Sequence, residues 1–211
     1  MSFLPLEIDN LRDIVRQNME QSRFAHALRV ENEVARMGAI YLPERVADLR
    51  AAALLHDLTK GIKGEEQITL CEELGLVLTD DEKRAPQVLH GLSAASIVER
   101  DLPQFATEEI LQAIRVHTTG DVEMSVFSLV LFVADFIEAG RTYDACRDLR
   151  ERYWEWVEQD KTLLPLLRAA YEELLFTVQY LEKNNEFVAP KTRDAIEAMR
   201  KRIECEDSSC L

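Results

Sequence analysis

The sequence predicts an all-α protein that folds as one domain. Apolar residues recur at three- and four-residue intervals along most of the chain, which is the spacing of one face of a helix. Strand-like alternation bounded by turn residues is absent, and no repeat or low-complexity linker divides the 211 residues. A chain of this length can bury a sizeable core within one domain.

The predicted helices can be justified in chain order. Residues 23–40 carry apolar side chains at helical intervals from Phe24 to Met37, and the next helix begins after Pro43 and becomes almost wholly apolar. Thr107 before two glutamates fits a capped helix start. The helices are predicted at residues 23–40, 44–58, 65–74, 86–100, 107–117, 124–139, 142–160, 162–184 and 190–204. The glycines expected to end helices are Gly61, Gly75, Gly120 and Gly140.

The chain is acidic, with 25 Lys and Arg residues, 39 Asp and Glu residues and a net charge of −14. Proteins that bind nucleic acid polymers usually carry a basic surface, so such a polymer is not an expected partner. A small polyphosphate can still bind if metal ions and a few local cations offset its charge. The charged run at residues 80–84 is expected to be a solvated surface or a loop.

No apolar run reaches the roughly 18 residues that a membrane span needs. The N-terminal residues lack the basic start and long apolar centre of a signal peptide. We therefore expect a cytoplasmic protein with no membrane partner. The four cysteines are scattered, and we expect reduced thiols without a catalytic role; the function of the tail that holds Cys205 and Cys210 stays open.

All four histidines of the chain fit a metal site that also contains aspartates. The His56-Asp57 pair closes an apolar segment, and Asp135 interrupts another at residues 130–137. A buried carboxylate costs several kcal/mol unless a cation compensates it. Imidazole and carboxylate together suit iron, manganese or zinc rather than calcium. The predicted metal ligands are His26, His56, Asp57, His90, His117 and Asp135.

This ligand set exceeds what a mononuclear site usually needs, so we predict two metals. The first would be held by His26, His56, Asp57 and Asp135. The second would be held by His90 and His117, with Asp57 as the bridge. A pair of metals about 3.5–4 Å apart can hold a hydroxide and a phosphoryl oxygen together. The alternative is a single metal, with the last two histidines contacting phosphate.

Each histidine alone would be interpreted as a hydrogen-bonded core residue, and His-Asp dipeptides are common. The prediction depends on the combination of spacings. The other histidines lie 30 residues before His56, 34 residues after it and 27 residues further on, and the second aspartate follows 18 residues later. A helical scaffold with chance histidines is the competing interpretation, and it predicts a protein without metal.

With these residues in place, the chain resembles the YqeK-type HD-domain hydrolases. The matching segments are Arg23–His26, Ala53–Lys60, Leu89–Gly91, Ala113–Gly120 with Met124 and Ser125, Ala134–Arg141 and Val188–Thr192. They extend over about residues 10–200. The His-Asp pair is a superfamily signature, whereas the segments around His117 and Arg141 are much more specific. Ala139 departs from the family, which usually has proline there, and leaves that helix end softer.

The resemblance implies an enzyme that cleaves diadenosine tetraphosphate symmetrically into two ADP by a metal-activated hydroxide. It also implies iron as the metal, with manganese as the alternative. We expect an HD-type helical bundle over residues 1–204, with the metal site between helices of a core at about 20–142. Helices at about 143–204 follow, and residues 205–211 are expected to form a flexible tail.

Cationic and hydroxyl residues beside the ligands are candidates for substrate contacts. Lys60 follows the His-Asp pair by one helical turn, Arg141 lies just past the last ligand helix, and Arg23 precedes the first histidine by one turn. Thr118 offers a hydroxyl group. The predicted catalytic residues are Asp57, Lys60 and Arg141, and the predicted substrate-binding residues are Arg23, Lys60, Thr118 and Arg141. Glu138 is expected to orient Arg141 or a ligand histidine.

Other functions remain open at this point. The chain could be another HD phosphohydrolase that acts on nucleoside monophosphates, deoxynucleotides or a guanosine alarmone. It could also be a non-catalytic HD module that senses nucleotides. The expected partner is a dinucleoside polyphosphate or another nucleotide. A homodimer is compatible with the sequence, which leaves the oligomeric state open.

Overall fold

A computed structural model describes residues 3–209 of the chain, with side chains through residue 207. Eleven α-helices and no strand occur in this range, so the all-α prediction is confirmed. The helices are α1 (Pro5–Asn18), α2 (Gln21–Tyr41), α3 (Val46–Leu55), α4 (Glu65–Glu73), α5 (Asp80–Arg84), α6 (His90–Asp101), α7 (Glu108–Val116), α8 (Val126–Ile137), α9 (Asp144–Gln159), α10 (Leu164–Lys183) and α11 (Pro190–Ser209). Short 3-10 turns lie at Pro43–Arg45, Pro86–Val88 and Pro103–Phe105.

Helix α8 lies at the centre of the molecule. Almost all of its residues are buried, and it packs against α2, α3, α7, α9 and α10. Helices α2 and α3 pack closely together, and so do α6 and α7. Helices α9, α10 and α11 follow α8 in the chain, and α10 packs on it from the side. The end of α3, the start of α6 and the end of α7 meet beside the first half of α2 and the last turn of α8.

Two helices start later than their prolines suggested. The segments after Pro43 and Pro86 first form 3-10 turns, and the α-helices begin at Val46 and His90. Helix α3 also ends at Leu55, three residues before the predicted end at residue 58. The His-Asp pair therefore lies at a helix end and in the turn after it, where a side chain can aim past the helix terminus.

Helices α6 and α7 cross at very short range. A Cβ atom at Gly91 would lie 2.7 Å from the carbonyl oxygen of Ile114 and 3.1 Å from that of Arg115. Because real Cβ atoms do not approach backbone oxygens this closely, glycine is required at the crossing. The close approach brings the start of α6 beside the end of α7, where two of the histidines lie.

Helices α1 and α5 were not predicted. Helix α1 is anchored by the buried side chains of Ile8, Leu11 and Val15, whose helical spacing was readable in the sequence. Helix α5 is short and has no buried residue, so the charged run is solvated as predicted but helical. A Thr79 cap that accepts from the backbone of Glu82 stabilises its first turn.

Helix α11 continues to Ser209, beyond the predicted end at residue 204. Residues 210 and 211, including Cys210, lie outside the described residues. The domain boundary at 204 and the flexibility of the tail stay predictions. Within residues 3–209, each helix is too short or too polar to cross a membrane.

Candidate metal centre

The structure brings all four histidines and both aspartates of the predicted ligand set into one cluster. Helix α2 supplies one histidine from its first half, and the capping residues directly after α3 and α7 are also histidines. Helix α6 supplies the fourth from its first residue, and α8 supplies an aspartate. In chain order the cluster contains His26, His56, Asp57, His90, His117 and Asp135.

Three of the histidines are oriented by their own chain segment. The Nδ1 atoms of His56, His90 and His117 lie 2.7, 2.8 and 2.7 Å from the backbone carbonyl oxygens of Ala53, Gln87 and Ile114, each three residues earlier. Because a carbonyl oxygen only accepts, Nδ1 must carry the hydrogen in each ring. The Nε2 lone pairs then face the cluster in the tautomer that binds metals.

The fourth histidine is oriented by a carboxylate. The Nδ1 atom of His26 lies 3.1 Å from Oε1 of Glu138, which is buried just after α8. Glu138 also accepts from Nε of Arg29 at 2.6 Å and from the backbone N–H of Gly140 at 2.5 Å. The structure thus places the Glu138 carboxylate behind a histidine, whereas the same carboxylate is 4.0 Å from Nε of Arg141.

Asp57 lies between two pairs of histidines. Its Oδ2 atom is 3.8 Å from Nε2 of His26 and 3.6 Å from Nε2 of His56. Its Oδ1 atom is 3.3 Å from Nε2 of His90 and 3.5 Å from Nε2 of His117. Each carboxylate oxygen therefore faces a different half of the cluster, which is the arrangement a bridging ligand needs.

Asp135 belongs to the first half of the cluster. Its Oδ1 atom lies 2.9 Å from Nε2 of His26 and 3.9 Å from Nε2 of His56. Arg141 donates to the same Oδ1 through a terminal nitrogen at 2.5 Å, and its Nε donates to the Asp135 carbonyl oxygen at 3.0 Å. The aspartate is thereby held toward the cluster by a cation that is one-third exposed.

Burial and neighbouring charges shift the pKa values of the histidines in different directions. Burial lowers the pKa of both His56 and His90 to about 4, so both rings are neutral at pH 7 and able to bind metal. Burial alone would also lower the pKa of His26. The carboxylates of Asp135 and Glu138 outweigh that effect and raise it to about 9.

Both aspartates of the cluster are ionised. Burial would raise the pKa of Asp57, but its histidine neighbours hold the pKa well below the usual range. Burial likewise opposes ionisation of Asp135, and the nearby Arg141 and His26 hold its pKa well below the usual range. Two ionised carboxylates thus share a small volume with the neutral rings of His56 and His90, and a bound cation would neutralise part of their charge.

The atoms of this cluster fit divalent metal ions. In the described residues, the Nε2 atom of His56 and the Oδ1 atom of Asp57 are buried without a hydrogen-bond partner, and the Nε2 atom of His26 faces the carboxylate of Asp135 at 2.9 Å. The Nε2 atoms of His90 and His117 lie only 3.0 Å apart, although both present lone pairs. Buried acceptors that face one another are stabilised by a shared cation.

The predicted substrate-contacting residues surround this cluster. The Nζ atom of Lys60 lies 3.0 Å from Nε2 of His90, and the Thr118 hydroxyl lies 3.0 Å from the same atom. Arg23 approaches Oδ2 of Asp57 at 3.6 Å. Burial lowers the pKa of Lys60, whose ammonium group lies against the cluster rather than in open solvent.

Solvent reaches the cluster from one side. The side chain of Asp135 is 19% exposed, whereas the other five ligand side chains are at most 9% exposed. Arg23 and Arg141 flank this side with side chains that are 36% and 34% exposed. We refer to this opening, defined by Arg23, Asp135 and Arg141, as the mouth of the site.

Glu138, which orients His26, was expected from the sequence to orient Arg141 or a ligand histidine, but the partners of the other histidines were missed. The carbonyl oxygens behind three of them carry no side-chain signal, although each histidine follows a helix end or a 3-10 turn. Arg29 was also missed. It lies one turn after His26 on α2, so a cation at this spacing was visible, but its contact with Glu138 joins residues 109 positions apart.

The fold and the cluster define a class of protein: a helical domain that gathers histidines and aspartates from separate helices around a buried metal site. A family model described as the HD domain matches residues 23–140, a range that contains all six cluster residues. The chain belongs to the HD-domain family.

Individual members of this family are similar to the chain over most of its length. The chain is 30% identical over 193 residues to a symmetrical bis(5′-nucleosyl)-tetraphosphatase from Staphylococcus aureus, covering 90% of this chain and 93% of the relative. It is 32% identical over 184 residues to a protein of the same name from Bacillus subtilis, covering 84% and 89%. A crystal structure described as a predicted HD superfamily hydrolase involved in NAD metabolism, from Clostridium acetobutylicum, matches with a TM-score of 0.79 at 28% identity, covering 92% and 97%.

Proposed function

We propose that this protein is a metal-dependent hydrolase that cleaves diadenosine tetraphosphate symmetrically into two ADP. The observation that carries the proposal is the position of Asp57, whose two carboxylate oxygens each face a pair of histidines beside a cationic mouth. The similarity to symmetrical tetraphosphatases over most of both chains supports this choice among phosphate-cleaving reactions.

The donor set supports two metal positions. One would be held by His26, His56 and Asp135, the other by His90 and His117, with Asp57 shared by both. Bound metals of this kind acidify a water and neutralise charge that builds on phosphate oxygens. Iron is the metal we propose and manganese the alternative, since both accept imidazole and carboxylate ligands.

Arginine, lysine and hydroxyl groups of the chain would position the tetraphosphate. Arg141 offers a planar fork of donors at the mouth, and Arg23 lies on the same exposed side. Lys60 and Thr118 lie beside His90, in the half of the cluster that also contains His117, and each can donate to a phosphate oxygen there. A substrate held at these points has its inner phosphates at the metal positions and its nucleosides further out.

The proposed reaction is hydrolysis at the middle of the phosphate chain. A water oxygen adds to one of the two inner phosphorus atoms, and the bond from that phosphorus to the central bridging oxygen breaks. The second ADP leaves with the bridging oxygen and takes up a proton. Asp57 positions both halves of the site, while Lys60 and Arg141 bind the negative charge that shifts onto the leaving phosphate.

The proposal is tested by turnover of a panel of nucleotides with metal-loaded protein, with products separated by chromatography. The panel contains diadenosine tetraphosphate, nucleoside monophosphates, deoxynucleotides and a guanosine alarmone. We expect two ADP per tetraphosphate, with one labelled ADP when the reaction runs in ¹⁸O water. AMP plus ATP, or preferred cleavage of another member of the panel, would contradict the proposal. Binding without any product would support a nucleotide-sensing module.

The number of metal ions bound per chain can be measured separately from the reaction. Elemental analysis of active protein as isolated should give close to two equivalents of metal per chain, mainly iron. A fully active sample with one equivalent would contradict the two-metal assignment. Such a result would leave His90 and His117 as phosphate contacts, which is the arrangement considered in the single-metal alternative.

We also propose a cytoplasmic location. Cys71 and Cys146 are buried thiols without a disulfide, which suits a reducing compartment. The proposed partners are dinucleoside polyphosphates and other small nucleotides rather than nucleic acid polymers, given the net charge of −14. Sedimentation of the purified protein would decide between a monomer and a homodimer.

A further inference from the structure

A cavity lined by aromatic rings lies directly beside the mouth of the site. Its volume is about 250 Å³, and it is bordered by Asp135 and Arg141 on the side of the metal centre. We call it the aromatic pocket, and its remaining walls are Phe136, Tyr143, Cys146, Phe176 and Tyr180. Because a metal-centre residue and the arginine at the mouth form part of its wall, a ligand can occupy both places at once.

The aromatic rings form a path from the metal centre to the surface. Phe136 follows Asp135 in the chain, and its ring packs edge-on against Phe176 with centroids 5.6 Å apart. The Phe176 ring in turn lies 6.2 Å from that of Tyr180, one helical turn later on α10. The path therefore begins next to Asp135 and ends on the outside of the molecule.

Two of these aromatic residues are unusually accessible. Tyr143 is 67% exposed and Tyr180 is 48% exposed, and both border the aromatic pocket. Exposed aromatic rings that converge on a cavity commonly mark a ligand site, because a planar ligand can cover them. Their position beside a phosphate-binding arginine restricts the ligand to one with a planar aromatic group near an anionic group.

A second, larger cavity does not meet this requirement. Its volume is about 520 Å³, and it shares Phe136 and Phe176 with the aromatic pocket. Among the described residues, its lining includes none of the six cluster residues and neither Arg23 nor Arg141. A ligand whose phosphates lie at the mouth would enter the aromatic pocket first.

We propose that the aromatic pocket binds the nucleobase of the substrate, with the base stacked against Tyr143 and Tyr180. This inference rests on the proposed function for the phosphate position, and it adds the place where the base is recognised. Stacking tolerates any base because each base has a π-face. The pocket would thus supply binding energy for nucleotides that the metal centre and arginines cannot supply for bare phosphates.

The test compares the binding of ADP and inorganic pyrophosphate to metal-loaded protein by titration calorimetry. We expect Tyr143→Ala and Tyr180→Ala to weaken ADP binding about five- to 150-fold, the range found for loss of one base–aromatic stack. Pyrophosphate binding should be unchanged in both variants, and Tyr180→Phe should retain ADP binding. Val77→Ala, an exposed apolar residue remote from the pocket lining, is the matched control.

Each outcome discriminates. Unchanged ADP binding in both alanine variants would overturn the proposal, and so would an equal loss for ADP and pyrophosphate, which indicates damage to the phosphate site. If the wild-type protein forms no ADP from diadenosine tetraphosphate but its ADP binding depends on Tyr180, the proposed reaction fails and the base site stands. If the wild-type protein turns over the tetraphosphate but neither alanine variant weakens ADP binding, the proposed reaction stands and the proposed base site is wrong.

Discussion

At the level of single residues, the histidines of the centre are fixed by oxygen atoms outside it. Three Nδ1–H groups donate to carbonyl oxygens of their own segments, and the fourth histidine, His26, is held by Glu138. The rings therefore point their Nε2 atoms at Asp57 before any ligand arrives. This arrangement makes Asp57 the residue whose loss should disrupt both halves of the site.

Replacing that aspartate should remove metal and activity together. In Asp57→Ala, both pairs of histidines lose their shared carboxylate, so we expect metal content to fall several-fold and turnover to fall to background. Elemental analysis and ADP formation measure the two effects. Asp13→Ala, which removes an exposed carboxylate on α1, is the control and should retain both. Full turnover in Asp57→Ala would refute the assigned role.

One buried carboxyl group outside the metal centre, that of Glu173, takes no part in the proposed reaction. Glu173 on α10 is 6% exposed, and its Oε2 atom lacks a hydrogen-bond partner. Burial, with an added contribution from the charge of Asp135, raises its pKa well above the ordinary value. The folded protein therefore holds the Glu173 proton more tightly than the unfolded chain does.

The sign of the resulting pH dependence follows from linkage. Stability contributed by the protonated Glu173 is complete below the unfolded pKa of about 4.3 and is lost as the pH rises toward the folded pKa. Glu173→Gln does not titrate, so its advantage in unfolding free energy over the wild type should grow by about 1.4 kcal/mol per pH unit in that window. Urea denaturation at pH 5, 6 and 7 measures it.

The control for this comparison is Glu155→Gln, which alters an exposed carboxylate on α9. Its unfolding free energy should follow the wild-type curve at every pH. A constant difference between Glu173→Gln and the wild type across the range would show that the Glu173 carboxyl group is ionised in the folded protein.

At the level of helices, the site depends on where helices end and how closely they cross. His56 and His117 directly follow the last residues of α3 and α7, and α6 starts at His90, so three ring positions are set by helix termini. The crossing of α6 and α7 at Gly91 sets the separation between two of these rings. A change in the crossing distance should therefore affect both the core and the metal centre.

A methyl group added at the crossing of α6 and α7 tests whether the distance between these helices affects both stability and metal binding. In Gly91→Ala the Cβ atom would meet backbone oxygens of α7, which cannot move aside as a side chain can. We expect a loss of about 1–3 kcal/mol in unfolding free energy, the usual cost of overpacking, together with weaker metal binding. Gly61→Ala is the matched control, since a Cβ atom added there would have no neighbouring atom within 4 Å. Equal stability of the two variants would contradict the close crossing.

Helix positions were largely readable from the sequence because apolar spacing and capping residues act locally. Thr107 and Ser125 accept from backbone amides at helix starts, and the long apolar run predicted α8. The end of α3 was predicted too late, because the chain after Leu55 continues in turns whose backbone hydrogen bonds join Leu58 to Leu55 and Lys60 to Asp57, and apolar spacing does not distinguish these turns from a helix. The aromatic pocket was not predictable, since it joins α8, α9 and α10 through contacts distant in sequence.

At the level of the whole molecule, the protein is acidic, but three of its basic side chains lie together at the metal centre. The net charge is −14, yet Arg23, Lys60 and Arg141 all lie at or near the metal centre. The residues of the cluster were predictable because four histidines in an apolar context are uncommon. Their meeting point was not, because it depends on the packing of five helices.

Metal should also stabilise the fold as a whole, since the ligands come from α2, α3, α6, α7 and α8. At a metal concentration 1,000-fold above the dissociation constant, binding adds about 4 kcal/mol, which corresponds to a rise in Tm of roughly 10 °C for a chain of this size. Differential scanning calorimetry with and without a chelator measures the shift. Asp57→Ala should show no chelator effect, and a wild-type Tm independent of chelator would contradict the assignment.

The concentration of every imidazole at one place also has a practical consequence for spectroscopy. Since the chain has four histidines and all of them line the same centre, each imidazole signal in a nitrogen-detected magnetic resonance spectrum reports on that centre alone. Selective ¹⁵N labelling of histidine would thus follow loading, tautomer and exchange without background from the rest of the molecule.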